Sequence, residues 1–117
     1  MRKYIVNIGL DRNDGRPVSR EEAFSAALLG SRLLGRRAWV ESDTEPTLVA
    51  ELSYDNHGWA RRCIHQIAVT LGQDCIAAVD DQGEGELIGP NAAAWGDFNP
   101  EFFIQLDGTR LAQPATV

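Results

Sequence analysis

Apolar and polar positions recur with period two in some stretches of this chain and with period 3.6 in others, and the switches between the two mark its elements. Residues 4–10, YIVNIGL, set Tyr4, Val6, Ile8 and Leu10 on one side and Ile5, Asn7 and Gly9 on the other, which predicts a strand with one strongly apolar face. DRNDGRP then supplies turn chemistry. Ser19 with Glu22 three residues on forms a capping box, and Phe24, Ala27, Leu28, Ser31 and Leu34 follow at helical spacing as far as Gly35. That spacing predicts a helix over 19–34. RRAWVES (36–42) and TLVAELS (47–53) alternate again across DTEP and read as an antiparallel hairpin. A second helix is expected from an N-cap at Asp55 or Asn56, with Ala60, Cys63, Ile64, Ile67 and Leu71 on one stripe and Gly72 as its stop. CIAAV (75–79) has the form of a covered strand.

The resulting order of strand, helix, strand, strand, helix, strand predicts an α+β chain with the ferredoxin-like split βαββαβ sandwich, two helices lying on one face of an antiparallel sheet. The 117 residues suffice for a single domain, 1–117, with its core over 3–80, an extension over 81–108 and a loosely ordered tail over 109–117. Within the extension, ELI (86–88) suits an edge strand, PNAAAWGDFNPEFF an irregular or single-turn segment, and FFIQL a last strand. WGDFNPEFF carries Trp95, Phe98, Phe102 and Phe103 around a tight bend, more apolar ring than a loop leaves in water. It is read as a plug that closes the open edge or face of the sheet. On the sheet face turned away from the helices the pattern places Ile5, Trp39 and Val49, a patch that meets either a second copy or the chain's own extension.

Charge narrows the functions. The formal net charge is −6, which opposes a phosphate backbone, so nucleic acid is an unlikely partner. No apolar run approaches the ~20 residues of a membrane span, and MRKYIVNIGLDRNDG lacks the pattern of a cleaved signal, so a cytoplasmic protein with no membrane partner is expected. No cofactor or metal is expected. Cys63 and His65, two apart on a helix, point about 200° from each other, and no CxxC or HxxxH spacing exists. Both Cys63 and Cys75 lie in apolar runs and read as inert thiols. Asp80, Asp81, Glu84 and Glu86 surround Gly83 and Gly85 without the spacing of a calcium loop, and read as a solvated turn. GEGELIG fits no phosphate-binding motif.

The residues left with chemistry to offer are those of YDNHGW, where Tyr54, His57 and Trp59 sit on a strand-to-helix loop, together with Trp39, Trp95 and Phe98. None makes a catalytic constellation. The expected function is therefore a non-enzymatic interaction protein, homodimeric through its sheet, that offers an acidic surface to a protein partner. The alternative is a small-ligand or small-enzyme domain with a pocket between the sheet and the aromatic segment, near Trp39, Trp95 and His57. Over residues 70–105, LGQDCIAAV and ELIGPNAAAWGDFNPEFF resemble small uncharacterised proteins of phages, plasmids and integron cassettes. The resemblance implies a mobile-element origin and no activity.

Overall fold

A computed structural model describes residues 2–12, 14–19, 21–22, 34–41 and 46–111. The described residues form an α+β structure: β1 (Arg2–Gly9), β2 (Leu34–Val40), β3 (Thr47–Tyr54), α1 (His57–Thr70), β4 (Ile76–Asp80) and β5 (Gly85–Ile88), followed by a single 3-10 turn at Ala92–Trp95. The five strands make one sheet in the order β2-β3-β1-β4-β5. Every neighbouring pair is antiparallel.

Side-chain alternation sorts the sheet into two faces. Tyr4, Val6 and Ile8 of β1 stand opposite Leu52, Ala50 and Leu48 of β3, and all are buried beneath α1. α1 lays Ala60, Ile64, Ile67, Ala68 and Leu71 onto that face, and its larger aliphatics contribute about 2 kcal/mol each by leaving water. The Asn56 side chain caps it, accepting from the Trp59 N–H at 2.9 Å. Gly72 ends it at φ +64°, the left-handed conformation that favours glycine. These elements match the alternation and the helical stripe read from the residues.

Four expectations need correction or fall outside the description. The capping box at the start of helix 19–34 is formed, with the Glu22 N–H donating to Ser19 Oγ at 3.1 Å. Residues 23–33 lie outside the described residues, and Leu34 and Gly35, assigned to the end of that helix, already belong to β2. Trp39 does not face away from the helix. The ladder shifts register between Leu34 and Arg37, so Trp39 pairs with Leu48 and packs on the helix-side core. Such a shift turns every later side chain to the other face. The FFIQL strand is absent: Ile104 makes only an isolated bridge to Arg110, closing a turn over 104–110. Of the loosely ordered tail expected over 109–117, residues 112–117 lie outside the described residues.

The second sheet face is closed by the chain itself. Val49, Val79, Phe103 and Ile104 are buried, yet stand apart from the helix-side cluster. Asn7, on the outward side of β1, clips the segment in place. Its amide donates to the Ile104 carbonyl at 2.8 Å, and its carbonyl accepts from the Ile104 N–H at 2.7 Å. One side chain thus supplies both bonds of a ladder step. Val49, placed by the pattern on this face, is fully buried. The plug is only half a plug: Phe103 is buried and Phe98 half-buried, while Trp95 is 65% and Phe102 72% exposed.

Candidate functional site

At one end of the helix face the first residues of β1, the last of β3 and β4, the first turn of α1 and the start of β5 converge. Strand alternation carries Tyr4 and Tyr54 to this end, where their rings stack with centroids 4.8 Å apart. His57 stands over both, its ring centroid 5.5 Å from Tyr4 and 5.9 Å from Tyr54. The Tyr4 hydroxyl donates to Glu86 Oε1 at 3.2 Å and is hydrogen-bonded to His57 Nε2. A phenol has one proton, so with that proton turned to Glu86 its oxygen accepts from an Nε2–H. The other Glu86 oxygen pairs with Arg61 at 3.0 Å.

Electrostatics fixes the protonation of the phenols. Burial pushes the Tyr4 hydroxyl well above its ordinary range, and the Glu86 carboxylate pushes it further. Burial likewise raises Tyr54, against a smaller opposing pull from Arg2, whose guanidinium lies 5.5 Å from the Tyr54 ring centroid. Both are neutral phenols near neutral pH and act as hydrogen-bond donors. The Tyr54 hydroxyl is enclosed and has no hydrogen-bond partner among the described residues. Leaving such a group unmet costs about 1–3 kcal/mol.

Glu86 also borders a hollow of about 340 Å³ between β5 and the segment after it, lined further by Leu87, Ala92, Ala93, Asp97 and Phe98. Phe98 can stand in its wall because Gly85 has no side chain. A Cβ on Gly85 would run into the Phe98 ring. The segment is anchored by Asp74, which accepts from Asn91 at 3.1 Å and from the Trp95 indole at 3.0 Å. Chemically, the exposed imidazole of His57, the phenol of Tyr4 and the carboxylate of Glu86 form a continuous path for a proton from solvent to the edge of the hollow.

Of the six residues singled out from the sequence, the structure brings together Tyr54 and His57, and sets Phe98 in the wall of the neighbouring hollow. Trp59 is on the first turn of α1 and 42% exposed. Trp95 is pinned to Asp74. Trp39 stands beside Leu48, six residues along β3 from Tyr54 and so about 20 Å away. It has no part in this site. Tyr4 and Glu86 were missed, although both left a signal. A tyrosine on the buried side of a strand needs a partner for its hydroxyl. A glutamate sharing its face with Ile88 needs one for its charge. No group of three or more His, Cys, Asp or Glu side chains among the described residues is placed to hold a metal ion. Burial raises both Cys63 and Cys75, and Asp74 adds to the shift at Cys75.

No described helix is long and apolar enough to cross a membrane. No protein-family model matches the sequence, and no curated protein matches it. Among solved structures, the chain is similar in fold to a phage SAM lyase in complex with S-methyl-5′-thioadenosine, with a TM-score of 0.53 at 11% sequence identity. The similarity covers 74% of this chain and 88% of that one.

Proposed function

We propose that the protein is a small-molecule-binding domain of ferredoxin-like topology, with its ligand received where Glu86 joins the Tyr4–His57 pair to the hollow beside β5. The strand order supports the topology, since β2-β3-β1-β4 with a helix between β3 and β4 is the arrangement of the split βαββαβ unit.

One observation carries the functional reading. The Tyr54 hydroxyl is buried without a partner among the described residues, next to a phenol already shared between an imidazole and a carboxylate. A purely structural cluster would have satisfied that donor or replaced it with phenylalanine. A phenol, imidazole and carboxylate in contact also have the composition of an acid–base site. The nucleoside thioether bound by the phage lyase of similar fold is the first ligand to test. Titration calorimetry with S-methyl-5′-thioadenosine is expected to show binding that Glu86→Gln and Tyr54→Phe each weaken by about tenfold, the effect of one hydrogen bond to a buried or charged group. Absence of binding up to about 1 mM would sink this ligand class.

A second reading keeps a protein partner in view. Trp95 and Phe102 expose large rings on the surface of a chain of net charge −6. That favours an interaction protein, as a homodimer or with another protein, docking through the C-terminal segment. Native mass spectrometry separates the two: a dimer without excess mass supports the interaction reading, and a monomer carrying a small molecule supports the binding domain.

A further inference from the structure

We infer that the protein associates crosswise with a second copy of itself, the outer face of α1 on one chain receiving the aromatic segment 95–102 of the other. The inference rests on the interaction reading above and names the surface that the segment meets. Among the described residues four large apolar side chains are exposed, and they fall on two surfaces: Trp59 and Val69 on α1, Trp95 and Phe102 on the C-terminal segment.

The two surfaces differ in charge. α1 holds no aspartate or glutamate. Its 3.6-residue turn sets Arg62 and Val69 opposite the buried stripe, with His65 to one side and Gln66 and Trp59 to the other. Arg61 is paired with Glu86, whereas Arg62 is exposed and makes no ion pair among the described residues. The segment is the reverse. Asp97 and Glu101 stand between its two rings in sequence, are exposed, and likewise make no ion pair among the described residues. No lysine or arginine lies between Arg62 and Arg110 in the sequence.

Charge selects the pairing. Packing α1 on α1 would bring Arg62 against Arg62, and packing segment on segment would bring carboxylate against carboxylate. Crosswise packing sets Arg62 beside Asp97 and Glu101, while the rings cover Trp59 and Val69 from water. At an ionic strength of about 0.15 M the net charge of −6 on each chain is screened beyond ~8 Å, and charges enclosed in a contact are screened much less.

The rings are also presented rigidly. The Trp95 indole N–H donates to Asp74 at 3.0 Å. The chain at Phe102 is fixed by Arg110, which donates to its carbonyl at 3.0 Å, and by the buried ring of Phe103. Little freedom is then lost on contact. One face of a helix about 21 Å long is a small interface, so an association of micromolar strength or weaker is expected.

The test is sedimentation velocity of the whole protein at about 0.5 mM in about 0.15 M salt, where such a contact is populated. The wild type is expected to sediment as a dimer or larger, and Arg62→Glu and Phe102→Ser each as a monomer. The two variants mixed in equal amounts are expected to recover a one-to-one dimer, because one keeps a working segment and the other a working helix face. Both side chains are exposed, and thermal melts matching the wild type confirm that the variants fold. A folded mixture that stays monomeric would overturn the proposal. Association that survives Arg62→Glu but not Phe102→Ser would also overturn it, removing the helix face and keeping the docking segment of the interaction reading. Association that survives Phe102→Ser would remove the segment as well, and that reading with it. A monomeric wild type at this concentration would overturn the crosswise contact together with the homodimer.

Discussion

The two faces of this sheet are closed by different means. On one, a regular helix meets a regular strand pattern: α1 brings an aliphatic stripe onto Tyr4, Val6, Ile8 and their neighbours. On the other, an irregular segment is laid across the strands, and its register is fixed by the amide of Asn7 and the buried ring of Phe103. The helix face distributes its stability over many similar contacts, so no single residue decides its geometry. The segment face concentrates its stability in a few positions, and the chain around them, including Phe102 and Trp95, stays exposed. The candidate site lies where the helical closure begins, with the tyrosine cluster at the first turn of α1.

The comparison can be tested most strongly by emptying each core in turn. Leu52→Ala on the helix face and Phe103→Ala on the segment face each remove a fully buried side chain, and each should cost about 3–5 kcal/mol in urea denaturation. Phe102→Ala, one residue away but 72% exposed, should cost less than about 0.5 kcal/mol. If Phe103→Ala were as mild as Phe102→Ala, the segment would be an appendage rather than a second core.

Next in size is Asn7→Ala. It removes both bonds to Ile104 and leaves that backbone short of a donor and an acceptor, which should cost about 1–3 kcal/mol. The damage should be local. Hydrogen exchange is expected to quicken over 98–111 while α1 and the centre of β3 keep their protection. Uniform loss of protection would mean that the two faces unfold as one unit.

These contrasts explain what the sequence made legible. The helix face could be read because period two and period 3.6 each report burial directly: Tyr4, Val6 and Ile8 alternate, and Ile64, Ile67 and Leu71 form a stripe. The segment face could not, because no periodicity encodes an irregular closure. Four rings within nine residues indicated that something is covered, but only packing decides that Phe103 goes in and Phe102 stays out. Asn7 looked like one more polar residue on an outward strand position, and its role depends on a partner 97 residues away. The Trp39 error has a similar root, since a register shift inside β2 leaves no mark in an alternation pattern. At the candidate site the loop residues Tyr54 and His57 were found through their proximity in sequence. Tyr4 and Glu86 reach the same cluster from strands 82 residues apart.

The smallest expected effect is a pH dependence that belongs to the helix face alone. Tyr4 and Tyr54 are both raised in the folded protein, chiefly by burial. Their unfolded counterparts ionise near pH 10. A group held protonated by folding contributes its full stability below the unfolded value and loses it as pH rises above that value toward the folded one. Stability should therefore be level through neutral pH with respect to these groups and fall progressively above about pH 10. Tyr4→Phe and Tyr54→Phe should each flatten that alkaline limb, measured as the urea midpoint against pH, because phenylalanine has no proton to lose. Asn7→Ala, which weakens only the segment face, should shift the whole curve down without changing its alkaline slope. An alkaline limb unchanged in both phenylalanine variants would mean that the buried phenols do not govern it, and would place the alkaline sensitivity outside the cluster.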